Sequence, residues 1–385
     1  MVGGRAAMFA LLAASFLSMF DRQTLPPMLG AIAGDLGTTV GGVGAALSVY
    51  SICYAASQLP WSWLSNRIGV VRVLRVALVA ATAFTVLTAF AVDPVTLWVA
   101  RALSGAAIGA IVPAGLVYVA ERFPLDRRAH ALVNLATATS LGMSVAVVIA
   151  SVLGPLGAWR WVVLGTAVAE AVVAVLLLRV QAGPRPPAPA PMVRSLRRVL
   201  GDPWMVLILA LVLVEGAALL GIMGFLPAAL AHEGADPVLA GVVTGVYGLA
   251  LIASAQLSKP LIGRVPPGVL MLLGGAALCL GFLLLVLWLD VATVLVASGL
   301  LGFAYAFAHT QIQNWMTDVA ARDRAVGTAV FATVFFAGAA LGAALGAWSA
   351  ATGAYRWLFL AAAIGGAAFA IGAWIGRTRY RVRAG

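Results

Sequence analysis

The chain has 385 residues, 63% of them hydrophobic and only 10% charged, with a formal net charge of +11. An ordinary soluble domain carries about 25% charged residues, so the polar side chains here are too few to cover a core of this size in water. That excludes a soluble enzyme, and it leaves the positive charge to meet anionic lipid headgroups rather than nucleic acid.

A membrane span needs about 20 apolar residues. Twelve segments meet that length, at roughly 6–31, 41–64, 73–92, 95–121, 130–153, 160–180, 204–231, 237–262, 267–289, 291–317, 326–351 and 357–376. The first contains Pro26 and Pro27, which remove two backbone donors and predict a kink or break in its outer half. The two cysteines, Cys53 and Cys279, both fall inside apolar runs and imply neither a disulfide framework nor a metal site.

Charge then orients the spans. All of the Lys and Arg except Arg22, Arg101, Arg160 and Arg356 fall in alternate gaps or at the termini. The intervening gaps hold mainly Asp35, Asp93, Glu233, Asp236 and Asp290. Cytoplasmic loops carry the excess of positive charge, so both termini are expected in the cytoplasm and the chain in a cell inner membrane. The longest gap, 181–203, is rich in Pro and Arg and reads as a semi-rigid linker ending in a short amphipathic stretch. It divides the chain into a six-helix bundle over 1–180 and a second over 204–385.

The two halves resemble each other. Gly157-Ala158-Trp159-Arg160-Trp161 returns as Gly353-Ala354-Tyr355-Arg356-Trp357, and Gly142 returns as Gly338, both at an offset of 196. Tyr50 returns as Tyr247, Gly105 as Gly302 and Glu121 as Asp318, each at 197. The expected fold class is therefore all-α and integral to the membrane, with twelve transmembrane helices in two pseudo-symmetric bundles. Parallel repeats of this kind place a substrate site near mid-membrane, where the repeats meet.

These features resemble the major facilitator superfamily over essentially the whole chain. The loop after the second span reads Leu64-Ser65-Asn66-Arg67-Ile68-Gly69, similar to the family's cytoplasmic loop motif, with Asn66 where the family has Asp. The resemblance implies a cytoplasmic gate built from Asn66, Arg67, Gly69, Glu121 and Arg128. Arg101-Ala102-Leu103-Ser104-Gly105 with Gly109 is similar to a motif of the twelve-span drug/proton antiporters, and so is the stretch from Pro113 to Arg128. The fifth span reads Gly142-Met143-Ser144-Val145-Ala146-Val147, without the Gly-Pro of those antiporters. The Asp21-Arg22 pair is similar to that of organic-anion symporters in the same superfamily.

An ionised group at the centre of a span costs about 2.5–3.5 kcal/mol on insertion scales, so each one needs a reason. Asp21, Glu215 and His309 are the candidate proton-coupling residues. Arg22 and Arg101 are candidates to hold an anionic substrate, with Tyr50 and Tyr247 as deep aromatic walls. In the tenth span Gln311, Gln313 and Asn314 form a polar stripe with His309, another candidate substrate contact. The bland alternatives stay open: Asp21 and an Arg tying the first span to the fourth, Glu215 as a hydrogen-bonded buried acid, His309 as a satisfied interior donor. Glu170 sits in a span that the resemblance makes peripheral scaffold.

No GxxxxGK[ST] motif is present, so a proton gradient rather than a nucleotide is the expected energy source, and no cofactor is expected. The reading is a monomeric, proton-coupled, alternating-access transporter exporting a small amphipathic compound such as a drug or natural product, and not an enzyme. The alternative is uptake or facilitated transport of a small organic anion held by Arg22 and Arg101. A membrane-embedded enzyme using His309 and an acid is a remote third.

Overall fold

The computed structural model describes residues 2–123, 125–182 and 192–380, except for the side chains of 2–6, 66, 120–121, 125–130, 132–133, 136, 192–193 and 325. The chain divides into two compact units, Met1–Pro189 and Ala190–Gly385.

Unit 1 contains α1 (Val2–Thr24), α2 (Leu29–Asp35), α3 (Val40–Ile68), α4 (Val70–Ala89), α5 (Pro94–Ile108), α6 (Ile111–Arg122), α7 (Leu125–Leu153) and α8 (Trp159–Leu178). Unit 2 contains α9 (Met192–Gly201), α10 (Pro203–Gly216), α11 (Leu226–His232), α12 (Pro237–Ser258), α13 (Pro267–Leu287), α14 (Val291–Ala304), α15 (Thr310–Val319), α16 (Arg324–Thr352) and α17 (Tyr355–Arg379). Among the described residues, ten helical segments are long and apolar enough to cross a membrane. The 23-residue α1 and the apolar Thr137–Leu153 part of α7 occupy the two remaining span positions. In lipid every backbone polar group must find its partner within the chain, and helices achieve that segment by segment.

Several predicted spans are interrupted. The first stops at Thr24, passes through a 3-10 turn at Pro26–Met28, and resumes as α2. The prolines account for this break: each lacks an N–H and crowds the preceding turn. The seventh span leaves α10 through a π turn at Ala217–Gly221 and a 3-10 turn at Ile222–Phe225 before α11. The tenth passes from α14 to α15 through a π turn at Tyr305–His309. The amphipathic stretch after the linker forms α9, while residues 183–191 lie outside the described residues.

The repeat seen in the sequence extends to local backbone chemistry. Asp93 caps α5 by accepting from the Thr96 amide, and Asp290 caps α14 by accepting from the Thr293 amide. Thr39 and Asp236 cap α3 and α12 in the same way. Each cap satisfies an amide that the first helical turn leaves without a carbonyl. Gly157 and Gly353 both adopt left-handed backbone, with φ of 70° and 73°. Close helix crossings recur too. A side chain on Gly105 would collide with the Tyr50 carbonyl across α3 and α5, and one on Gly302 with the Tyr247 carbonyl across α12 and α14. Small residues let helices in lipid approach closely enough for van der Waals packing to hold them.

Candidate functional site

Each unit holds a buried acid–base pair on spans that correspond in the repeat. In unit 1 the pair is Asp21 of α1 and Arg101 of α5, with Arg101 Nη1 donating to Asp21 Oδ1 at 2.7 Å. Arg101 Nη2 also donates to the Asp21 backbone carbonyl at 3.2 Å, and Ser104 Oγ to Asp21 Oδ2 at 3.3 Å. Both charged residues are buried, Arg101 completely. In a low-dielectric interior such a pair survives only with good geometry and further hydrogen bonds, and this one has both.

Tyr50 of α3 lies beside this pair. The Arg101 guanidinium sits 4.2 Å from the Tyr50 ring centroid and that of Arg22 5.9 Å away. Arg22, also buried, donates to Ser51 Oγ at 3.2 Å. Asp21 and Arg22 are neighbours in sequence, so they point about 100° apart on α1, and each turns to a different helix. The Tyr50 hydroxyl, Ser48 Oγ and Arg101 Nε are buried without a direct hydrogen-bond partner among the described residues. These groups offer hydrogen bonds to a polar guest.

In unit 2, His309 Nδ1 lies 3.1 Å from Glu215 Oε2. Glu215 is fully buried, and its Oε1 has no hydrogen-bond partner among the described residues. The imidazole stacks on Tyr305 at 4.5 Å and meets Phe335 at 4.7 Å and Phe331 at 5.6 Å. Tyr247 is buried, with no partner for its hydroxyl among the described residues. The π turn ends on His309 itself, and Glu215 lies at the end of α10 where the other π turn begins. π turns inside helices concentrate at functional sites because the extra residue re-aims neighbouring side chains.

Along the polar stripe predicted in the tenth span, Gln311 is buried, Gln313 half-buried and Asn314 exposed. His309 and Gln313 are four residues apart and lie on one side of the helix by spacing, while Gln311 and Asn314 flank that line. Among the gate candidates, Arg67 is exposed with its guanidinium 3.9 Å over the Trp63 ring, and Gly69 makes the α3–α4 turn with φ of 88°. The side chains of Asn66, Glu121 and Arg128 lie outside the described residues.

Sequence reasoning named Glu215 and His309 separately and did not join them as partners. The signal was available: Asp21 and Arg101 lie on the first and fourth spans, Glu215 and His309 on the seventh and tenth. It passed over Ser51, Ser104, Phe331 and Phe335, whose types are unremarkable in an apolar span. Outside the spans, Asp290 caps α14 with its carboxylate. The Thr293 amide donates to its carboxylate and holds it below the usual carboxylate range.

Residues 11–232 match the Major Facilitator Superfamily model, and residues 212–384 match it again. The chain belongs to that family. It is therefore a secondary transporter of the facilitator type and a multi-pass membrane protein, not an enzyme. A stretch of 137 residues is 31% identical to a probable 4-methylmuconolactone transporter from Cupriavidus pinatubonensis (strain JMP 134 / LMG 1197). That stretch spans 36% of this chain and about a third of the relative's length, 32%. The nucleoside transporter NupG superposes with a TM-score of 0.75 at 15% identity, covering 97% of this chain and all of that one. A POT family transporter in complex with a thioalcohol-conjugated peptide gives 0.78 at 12% identity, over 94% of each chain. At these identities the likeness to the two solved structures is one of fold.

Proposed function

We propose that this facilitator moves a small organic anion together with a proton. The observation that carries the reading is the charge around Tyr50. Two buried guanidiniums, Arg22 and Arg101, stand beside its ring. Guanidinium groups bind carboxylates in a planar, two-pronged geometry, which suits a carboxylate guest. The Glu215–His309 pair supports proton coupling, because histidine is the side chain whose ordinary titration falls near neutral pH. The relative's name, probable 4-methylmuconolactone transporter, supports a small organic substrate.

The test is flux into liposomes containing the purified chain, with labelled 4-methylmuconolactone as probe. An inward proton gradient should drive its accumulation, and collapsing the gradient should remove it. Accumulation that ignores the gradient would sink the coupling; absence of binding and flux for every organic acid tried would sink the substrate class.

A second reading, export of an amphipathic compound in exchange for protons, is favoured by one observation. The segment from Arg101 to Gly109 follows the antiporter-like motif, and in the fold Gly105 lets α5 close onto α3 at Tyr50. Here the same inward proton gradient would drive the opposite flux: a lipophilic cationic dye would leave the vesicles as protons entered. The substitution Arg101→Gln separates the two. Loss of anion binding supports the first reading, while retained substrate binding with lost proton coupling supports the second.

A further inference from the structure

The helix α9 belongs to no span: it ends at Gly201, and the seventh span begins at Pro203. Its sequence, MVRSLRRVLG, carries three arginines and no acid. Ser195 and Val199 are buried, on a helix that packs against α10 and α16. Successive residues turn by about 100°, so Arg194, Arg197 and Arg198 share one sector about 100° wide. All three are exposed. Leu196 and Leu200 fill the sector between that basic face and the buried one, and Leu200 is 45% exposed.

The acids at this end of unit 2 are engaged elsewhere. Asp202 accepts from the Trp204 amide, Asp318 from Arg377 and Asp323 from Arg198. Arg194 and Arg197 have no ion pair or hydrogen bond among the described residues. Like charges three residues apart on a helix repel each other, and an anion seated between them relieves that.

The neighbouring rings give the depth of α9. Three residues beyond its end, Trp204 meets Trp315 at 6.1 Å and Tyr380 at 5.7 Å, and the Arg377 guanidinium lies 5.3 Å from the Tyr380 ring centroid. Tryptophan and tyrosine gather at the headgroup level of a membrane. An exposed leucine beside a basic face at that level is the pattern of a helix lying in the interface. A nucleic acid or an acidic protein would engage the arginines alone and leave Leu200 in water.

We propose that α9 binds an anionic phospholipid, with Arg194 and Arg197 holding the headgroup phosphate and Leu200 lying against the upper part of an acyl chain. Guanidinium groups grip phosphate oxygens through paired N–H donors. Arg198 stays on Asp323, which joins the lipid-bearing helix to the start of α16. Bound lipid thereby holds the beginning of unit 2 at the membrane surface.

Native mass spectrometry of the full chain in detergent, titrated with phosphatidylglycerol, is the test. This lipid should bind more tightly than zwitterionic phosphatidylcholine. Arg194→Gln combined with Arg197→Gln should weaken it roughly 20-fold, about fivefold for each cation removed from an anionic lipid surface. Lys259→Gln combined with Arg264→Gln removes equal charge from the same end of unit 2, where α12 leads into α13, and should leave the affinity unchanged. Equal losses in the two double variants reduce the effect to general surface charge and overturn the proposal, as does equal affinity for the two lipids. Leu200→Gln keeps every charge and should weaken phosphatidylglycerol binding; no weakening overturns the lipid's placement. Inorganic phosphate in excess should leave the lipid bound. Displacement by it would make this a site for a soluble anion and end the assignment to lipid.

Discussion

The two units solve the same structural problem with different chemistry. At corresponding spans, unit 1 pairs Asp21 with Arg101 and unit 2 pairs Glu215 with His309. The first pair has a base that keeps its charge at any physiological pH. It also has a second guanidinium contact, to the Asp21 carbonyl, and a serine hydroxyl on the other carboxylate oxygen. The second pair has an imidazole as its base, a single bond, and a carboxylate oxygen without a partner among the described residues. One pair is an anchor held by several bonds and the other a single contact. The two units thus keep the placement of an acid–base contact while its chemistry diverges.

The largest effect expected from breaking this contrast is in stability. Arg101→Ala strands a buried carboxylate, and removing one partner of a buried pair costs about 3–5 kcal/mol. His309→Ala should cost less, about 1–3 kcal/mol, because it leaves a single hydrogen-bond acceptor unmet. Thermal unfolding of both variants in detergent measures the difference; equal losses would erase the distinction between the two contacts.

A comparable loss in both units is expected at the helix crossings. Gly105→Val and Gly302→Val each drive a side chain into the Tyr50 or Tyr247 carbonyl. Overpacking of this kind costs about 1–3 kcal/mol. The same thermal assay should give the two variants similar shifts, since the crossings are built alike. A strong effect in only one would mean that the repeat is geometric without being energetic.

Transport then sharpens the contrast at smaller energy. His309→Gln keeps a hydrogen bond to Glu215 within reach but removes the titrating ring. Liposome flux should lose its pH profile, because histidine is the side chain suited to carrying a proton. Arg101→Lys, which preserves charge, should leave that pH profile in place while weakening substrate affinity. A profile unchanged in His309→Gln would remove His309 from coupling.

The smallest effects belong to the matched caps. Asp93→Ala and Asp290→Ala should each speed hydrogen exchange at the Thr96 and Thr293 amides respectively, with little change in global unfolding. The Asp290 carboxylate is held below its ordinary range by the Thr293 amide. Its contribution is therefore complete above the unfolded-state value and is lost as pH falls through the folded one. Exchange at Thr293 should accelerate at low pH in the wild type and be pH-insensitive, beyond the intrinsic rate, in Asp290→Ala.

Much of the scaffold was legible because lipid imposes few choices. Apolar runs of fixed length had to become helices, and Pro26 with Pro27 had to interrupt the first of them. The capping residues Asp93 and Asp290 stood at matching places and act alike. The site was legible as a set of residues but only partly as a set of partners. Asp21 and Arg101 announced themselves as charges in lipid, but Ser51 and Ser104 look like any small residue in a span. Gln311, Gln313 and Asn314 read as a stripe with His309, and their burial differs along it. The π turns at Ala217–Gly221 and Tyr305–His309 left no trace in composition, because no proline or glycine pattern demands the extra residue. That Gly142 and Gly338 fall at one offset and Tyr50 and Tyr247 at another shows how much could be drawn from self-comparison alone.

Those two wide turns carry a mechanical consequence. A bulge of this sort can migrate one position along its helix by exchanging a single carbonyl partner, and every side chain it passes then swivels by about 100° around the axis. His309 closes one bulge and Glu215 sits just ahead of the other. Their bond can consequently be undone by axial rotation of one short segment, with no tilting of a whole rod and no unwinding in oil.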